Sequence, residues 1–251
     1  MDGLELLLDL HLGGARQGPG SDGETRQAIA LSGLAGREGL RIADIGCGTG
    51  ASTAILASDL DARIVAVDFL QPFLDRLQER AAREGWAGRV ETLAASMDDL
   101  PFAEAEFDAI WSEGAIYNMG FTAGVRAWRR FLRPGGILAV SELTWLTATR
   151  PAELDAHWQA EYPEVATAGE KIAILEREGF TPVGYFPLST EAWMANYYEP
   201  LRSRLPAFLE RHDHSEAARA IAEAEEAEIA LYERFADYVS YGFYVARRSG
   251  P

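Results

Sequence analysis

A glycine-rich turn between an apolar strand and a helix constrains the fold of this chain most strongly. The apolar run from Leu40 leads into Asp44-Ile45-Gly46-Cys47-Gly48-Thr49-Gly50, and a helix is predicted from Ser52. Glycines let a backbone approach a ligand closely because no Cβ intervenes. The helix N-terminus behind them offers free N–H groups. This strand–turn–helix context predicts a nucleotide site.

Alternation of strands and helices continues along the chain. Apolar runs predict strands at residues 40–45, 63–67, 90–94, 107–111, 137–142, 182–187 and 241–247. Helical patterns separate them, at residues 22–35, 52–58, 71–84, 125–132 and 168–178. This order is typical of an α/β protein with a Rossmann-like, doubly wound sheet. We expect seven mostly parallel strands, the last antiparallel, with helical lid insertions.

The 251 residues suit a single domain spanning 1–251. We expect an N-terminal helical cap at 1–37 and a cofactor-binding core at 38–143. Residues 144–167 and 190–239 are rich in Trp and Tyr, and we interpret them as lid and acceptor segments or as a dimer interface. The run Glu223 to Glu228 is interpreted as a solvated helix face.

The formal net charge of −16 bears on partners and location. So acidic a surface repels phosphate backbones and anionic lipids, so we expect neither nucleic acid nor membrane as a partner. The negative charge is explained most simply by solubility, and the more specific alternative is a cationic substrate. The first residues lack the basic region of a secretory signal, so a cytoplasmic protein is expected. The only cysteine, Cys47, is interpreted as a small packing residue of the turn rather than a nucleophile.

The acidic residue at the start of the turn separates two nucleotide cofactors. Asp44 would sit poorly beside the pyrophosphate of a nicotinamide cofactor, but well near the ammonium group of an amino acid. The ligand indicated is S-adenosylmethionine, a nucleoside attached to an amino acid. Asp68 ends the second strand, 18 residues past Gly50, where its carboxylate can accept hydrogen bonds from both ribose hydroxyls. Phe69 can pack on the adenine or ribose, or belong to the core.

Together these features resemble the class I S-adenosylmethionine-dependent methyltransferases over residues 38–142. The branch resembled includes the ubiquinone/menaquinone-type enzymes. The matching motifs are Asp44 to Gly50, Asp68, Asp99-Leu-Pro-Phe102, Phe107-Asp108 and Leu132-Arg-Pro-Gly-Gly136. An uncharacterised bacterial subgroup is also similar, through Arg16-Gln-Gly-Pro-Gly-Ser21 and Trp111-Ser-Glu-Gly-Ala-Ile-Tyr-Asn118.

The resemblance implies a role for each matching position. Gly46 to Gly50 would wrap the methionine and ribose, and Asp68 would clamp the ribose. Ser96 and the backbone of Met97 would meet the adenine edge, although the family commonly has Asp where this chain has Ser96.

Residues after the fourth strand are predicted to face the transferred methyl group, because ligands bind at the carboxyl ends of parallel strands. Glu113 could hold the cofactor amine, bind a cationic acceptor, act as a base or be a solvated loop residue. Tyr117 is either catalytic or a packing residue. Arg16 could pair with the cofactor carboxylate or lie on the surface.

Methyl transfer to a small-molecule acceptor is therefore the function predicted, with oxygen, nitrogen and carbon all open as the acceptor atom. A non-catalytic S-adenosylmethionine-binding regulator and a nicotinamide-dependent reductase are the alternatives. The pattern around His11, His212 and His214 does not indicate a metal site. His157, beside Trp158, could line the acceptor pocket or be structural.

Overall fold

The computed structural model describes residues 3–250 and has a seven-stranded sheet at its centre, in the order β3-β2-β1-β4-β5-β8-β7. Five strands run parallel: β1 Leu40–Ile45, β2 Ala62–Asp68, β3 Val90–Ala94, β4 Phe107–Glu113 and β5 Leu132–Trp145. β8 (Val239–Arg248) lies antiparallel between β5 and β7 (Phe180–Pro187). The predicted sheet, with its last strand antiparallel, is confirmed. A two-residue strand, β6 (Ala166–Thr167), adds to it beside the end of β5.

Helices cover both faces of the sheet and build a cap over one edge. They are α1 Gly3–Leu12, α2 Asp22–Ser32, α3 Ala51–Asp59, α4 Gln71–Glu84, α5 Phe121–Arg129, α6 Ala152–Glu161, α7 Ala168–Arg177, α8 Thr190–Trp193, α9 Glu199–Arg211 and α10 Glu216–Phe235. A π-helical turn, Met194–Tyr198, joins α8 to α9, and a short 3₁₀ turn, Ile116–Asn118, precedes α5.

One predicted helix is displaced. The helix expected at 125–132 is α5, which ends at Arg129, and β5 already begins at Leu132. Leu132 is buried and pairs with Phe107 of β4, so strand pairing overrides the local helical pattern at the end of this segment.

Alternating strand residues feed two separate core layers, as the two-residue period of a strand requires. Ile42 and Ile64 pack on the face covered by α2, α3 and α4. Their neighbours Ala43 and Val65 pack on the opposite face, with Trp128 of α5. The sheet is therefore buried on both sides, and its carboxyl edge remains for a ligand.

The cap over that edge combines the two ends of the chain. Leu6 and Leu10 of α1 pack with Phe208 of α9 and Ala218 of α10. A second apolar cluster joins α6, α8 and α10 to the ends of β5 and β8. Within residues 3–250, none of the helices has both the length and the apolar character of a bilayer span.

Candidate functional site

Two adjoining cavities lie at the carboxyl edge of the sheet. The first cavity has a volume of about 840 Å³ and the second about 850 Å³. The first is lined by most of the sequence-predicted site residues: Arg16, Gly46, Cys47, Gly48, Asp68, Phe69, Ser96, Met97, Glu113 and Tyr117. Asp44 and Gly50 belong to the turn but are not part of this wall.

The glycine turn forms the floor of the first cavity. Gly46 has a φ of +74°, and a Cβ placed there would lie 2.3 Å from the Cβ of Ala115. Gly48 has a φ of +54°, and its Cβ would lie 2.3 Å from Oε1 of Gln17. Both positions thus require glycine for backbone conformation and for space. The backbone of the turn is left open to a ligand from the cavity side.

Cys47 lies between these glycines and is buried. Burial raises the pKa of its thiol well above the usual value, with Asp44 and Asp68 adding to the effect. The thiol therefore stays protonated near neutral pH, which supports packing rather than nucleophilic chemistry.

Asp44 lies beneath the glycine turn rather than in the wall of the first cavity. Its side chain is fully buried beneath the turn, where Oδ2 accepts hydrogen bonds from Ser52 Oγ at 2.8 Å and Thr53 Oγ1 at 2.6 Å. Its other oxygen, Oδ1, has no hydrogen-bond partner among the described residues, and the contact of Asp44 with a ligand ammonium group stays a prediction. Burial, together with the charges of Glu113 and Asp68, raises the pKa of Asp44 to about 7, against the lowering effect of the two hydroxyl donors.

Asp68 occupies the position expected of a ribose ligand. Its Oδ2 accepts the N–H of Gly48 at 2.9 Å, and its Oδ1 accepts the N–H of Leu70 at 2.9 Å. Burial raises its pKa, and the backbone N–H groups oppose that shift. Phe69 follows it in the cavity wall with 69% of its surface exposed, so the ring is available for stacking.

Ser96 and Met97 line the far end of the first cavity. The hydroxyl of Ser96 donates to the carboxylate of Asp98. The carbonyl of Met97 accepts Nε1–H of Trp128 at 3.0 Å, which holds this loop against α5. The structure brings both residues to the same wall as Asp68, as predicted.

The carboxylate of Glu113 accepts hydrogen bonds from three side chains. Its Oε1 accepts Thr25 Oγ1–H at 2.8 Å and Trp111 Nε1–H at 2.9 Å, and its Oε2 pairs with Arg16 at 3.2 Å. Arg16 also pairs with Asp22 at 3.0 Å. Both oxygens therefore have donors, and Glu113 fixes Arg16 in the cavity wall. Its role as a base or as a ligand of the cofactor amine stays a prediction.

Gln17 is a site residue that sequence reasoning missed. Its Oε1 accepts the N–H of Thr49 at 2.8 Å and the hydroxyl of Thr49 at 3.1 Å. Its Nε2 donates to the carbonyls of His11 and Gly14. Gln17 thereby ties the N-terminal segment to the glycine turn, 32 residues away. No local pattern in the sequence indicates that contact.

Tyr117 stands where the two cavities meet and lines both of them. Its side chain is 43% exposed, and its ring meets that of Tyr162 edge-on, with centroids 6.1 Å apart. Desolvation by the surrounding protein raises the pKa of Tyr117 above its ordinary value. Its hydroxyl is therefore a neutral donor at physiological pH.

The second cavity is walled by the segments that the sequence assigned to a lid or a dimer interface. His157, Trp158 and Tyr162 come from the first segment. Trp193 and Tyr197 come from the second, and α1 supplies further wall residues. His157 thus lines the second cavity, which agrees with the first of the two roles that the sequence left open for it.

A buried ion pair stands behind this wall. Lys171 Nζ lies 3.9 Å from Glu142 Oε1, and both side chains are fully buried. The ammonium group also lies over the rings of Phe121 and Tyr162, 4.5 and 5.5 Å from their centroids. Burial raises the pKa of Glu142 to about 7 and lowers that of Lys171.

Comparison with known proteins agrees with this geometry. The family model that matches residues 42–136 is described as a methyltransferase domain. An O-methyltransferase of Aspergillus nomiae is 29% identical over 65% of this chain and 75% of its own length. The 27-O-demethylrifamycin SV methyltransferase of Amycolatopsis mediterranei is 32% identical over 53% of this chain and 48% of its own length.

The whole fold has a counterpart among solved structures. A methyltransferase of Geobacter sulfurreducens, crystallised with S-adenosyl-L-homocysteine, superposes with a TM-score of 0.84 at 19% identity, covering 96% of this chain and 97% of that one. Several other curated relatives are matched over only 38% to 57% of their length. Their particular substrates are therefore properties of those proteins.

Proposed function

We propose that this chain, which carries a class I S-adenosylmethionine-dependent methyltransferase domain, transfers the methyl group of S-adenosylmethionine to a small-molecule acceptor. The observation that carries the proposal is the first cavity. A glycine cradle, an available carboxylate at Asp68 and an exposed ring at Phe69 lie together on its wall.

The charges of the first cavity fit the proposed donor. S-adenosylmethionine carries a sulfonium and an ammonium group, and three carboxylates lie in the wall, those of Asp68, Asp98 and Glu113. Arg16 is the only basic residue among its described lining and suits the carboxylate of the methionine moiety. A nicotinamide cofactor would instead bring two phosphates against these carboxylates.

In the proposed site each wall residue has one task. Asp68 accepts the ribose hydroxyls, Phe69 packs on the adenine or ribose, and Ser96 and Met97 meet the adenine edge. Gly46 and its neighbours along the turn present backbone to the methionine part. Asp44 holds the start of α3 through Oδ2, and its Oδ1, unpartnered within residues 3–250, serves the ammonium group.

The second cavity is proposed to hold the acceptor. When bound, S-adenosylmethionine would supply an electrophilic methyl carbon. The acceptor atom would form the new bond with its lone pair, the carbon–sulfur electron pair would stay on the sulfur of S-adenosylhomocysteine, and a proton lost by a hydroxyl or amine acceptor would pass to water. Tyr117 touches both cavities and can orient the acceptor by donating from its hydroxyl. The segments 144–167 and 190–239 act as a lid that excludes water from the site. Alignment of the acceptor with the methyl group and the exclusion of water supply much of the rate enhancement.

Several finer assignments rest on the sequence alone. They are the ubiquinone/menaquinone-type subgroup, the homodimer and the cytoplasmic location. The Aspergillus nomiae relative is named an O-methyltransferase, which favours oxygen among the three acceptor atoms that the sequence leaves open.

Formation of S-adenosylhomocysteine tests the proposal. The protein is incubated with S-adenosylmethionine and a panel of small phenols, amines and hydroxylated polyketides, and the product is quantified by mass spectrometry. We expect acceptor-dependent release that Tyr117→Phe slows. Tight cofactor binding without transfer to any acceptor would favour the regulatory alternative.

A further inference from the structure

We infer that the second cavity selects acceptors that carry a protonated amine, and that Glu228 is the carboxylate that pairs with it. This inference rests on the proposed function and adds the chemical class of its acceptor. The charge-bearing group need not be the atom that is methylated.

Glu228 differs from the other acidic residues of its helix. On the outer face of α10, Glu226 and Glu233 both pair with Arg202, at 3.0 and 2.8 Å. Glu225 faces the second cavity and has His11 as partner at 3.4 Å. Glu228 also faces the cavity, but its hydrogen-bond partner is the neutral hydroxyl of Tyr198, at 2.8 Å. Within residues 3–250 it forms no ion pair.

Glu228 has no lysine or arginine partner in the second cavity, where the basic residues of the described lining are His11 and His157. Burial raises its pKa, and the charges of His157 and His11 oppose that rise. Two other wall residues, Glu161 and Glu225, are acidic, and the described lining of the second cavity contains no lysine or arginine. A partly buried carboxylate is stabilised by a cation that reaches it. The cavity admits such a cation as ligand.

Aromatic rings complete the site for a cation. Trp158, Tyr162, Trp193, Tyr197 and Tyr241 line the cavity together. The rings of Trp193 and Tyr241 meet edge-on with centroids 4.9 Å apart. Faces of Trp and Tyr attract ammonium groups through their quadrupoles. An aromatic wall with an unpaired, half-buried carboxylate at Glu228 favours an amine attached to an apolar or aromatic body, and the acidic residues beside it repel anions.

Three matched probes test the charge selection in protein saturated with S-adenosylhomocysteine. Tyramine, 4-ethylphenol and 4-hydroxyphenylacetate share one aromatic body and carry positive, zero and negative charge at pH 7. Calorimetric titration should give tyramine an affinity at least about tenfold higher than 4-ethylphenol, and 4-hydroxyphenylacetate the lowest. Glu228→Gln, which preserves shape, should remove the preference for tyramine.

Matched controls keep the outcomes separate. Glu223→Gln removes the same charge from the exposed face of α10 and should retain the preference. Both variants should bind S-adenosylhomocysteine like the parent protein. If S-adenosylhomocysteine does not bind, the proposed function itself fails. If it binds, three results would overturn the charge selection: tyramine does not bind, 4-ethylphenol binds as tightly, or the preference survives in Glu228→Gln.

Discussion

Replacement of Asp68 by alanine probes the proposed ribose contact quantitatively. Its two carboxylate oxygens offer about four acceptor positions, and the N–H groups of Gly48 and Leu70 use one on each oxygen. The N–H of Phe69 also acts on the carboxylate, so at least one position remains for a ribose hydroxyl. This arrangement sets the size of the expected effect.

A hydrogen bond to a charged group contributes about 1.5–3 kcal/mol. Loss of one such bond weakens binding about tenfold to a hundredfold, and loss of two weakens it more. We therefore expect Asp68→Ala to raise the Kd for S-adenosylmethionine at least about tenfold. Alanine also releases the N–H of Gly48, so the ribose contact has to be separated from a loosened turn.

A ligand that lacks the ribose 2′-hydroxyl distinguishes loss of the ribose contact from loosening of the glycine turn. Calorimetry compares S-adenosylhomocysteine with its 2′-deoxy analogue on the parent protein, on Asp68→Ala and on Asp75→Ala. Asp75 is an exposed carboxylate of α4 and serves as the control. The parent protein and the control should lose affinity for the deoxy analogue, and Asp68→Ala should not. Equal losses in all three proteins would refute the ribose contact.

Three further perturbations follow from the geometry. Gly46→Ala should destabilise the fold by about 1–3 kcal/mol in urea titrations and weaken cofactor binding, because the new methyl group meets Ala115 at 2.3 Å; unchanged binding would contradict the tight turn. Lys171→Met should cost about 3–5 kcal/mol at pH 8 by leaving Glu142 unpaired, and adding Glu142→Gln should recover most of it. The raised pKa of Asp44 means that the folded state holds the proton more tightly than the unfolded state, so this stabilisation is lost as pH rises towards about 7. Between pH 5 and pH 8 the unfolding free energy of Asp44→Asn, relative to that of the parent protein, should therefore rise by about 2 kcal/mol. If the unfolding free energies of both proteins change equally with pH, the buried carboxyl is contradicted.

Local signals made much of the fold predictable. The helix at 71–84 is found at the predicted bounds because Gly85 ends it with a φ of +83°. The position of Asp68 beside the glycines was predictable for the same reason. The glycine turn follows β1, Asp68 ends β2, and these two strands are neighbours in the sheet. Such features depend on periodicity and backbone conformation, which a sequence displays directly.

Contacts between segments far apart in the sequence could not be predicted in this way. The run Glu223 to Glu228 was interpreted as a solvated face, and this was wrong for Glu225 and Glu228. They are three residues apart and share the side of α10 that faces the cavity, whereas Glu226 pairs with Arg202 of α9 at the protein surface. Only the packing of α1 and α9 against α10 distinguishes those sides, and that packing joins the two ends of the chain.

Direct binding of the methyl donor tests the central claim. Calorimetric titration of the purified protein with S-adenosylmethionine, and separately with NADH, measures which nucleotide the first cavity takes. The account predicts one S-adenosylmethionine per chain with a Kd in the micromolar range and no heat of binding from NADH. Binding of NADH without binding of S-adenosylmethionine would contradict it.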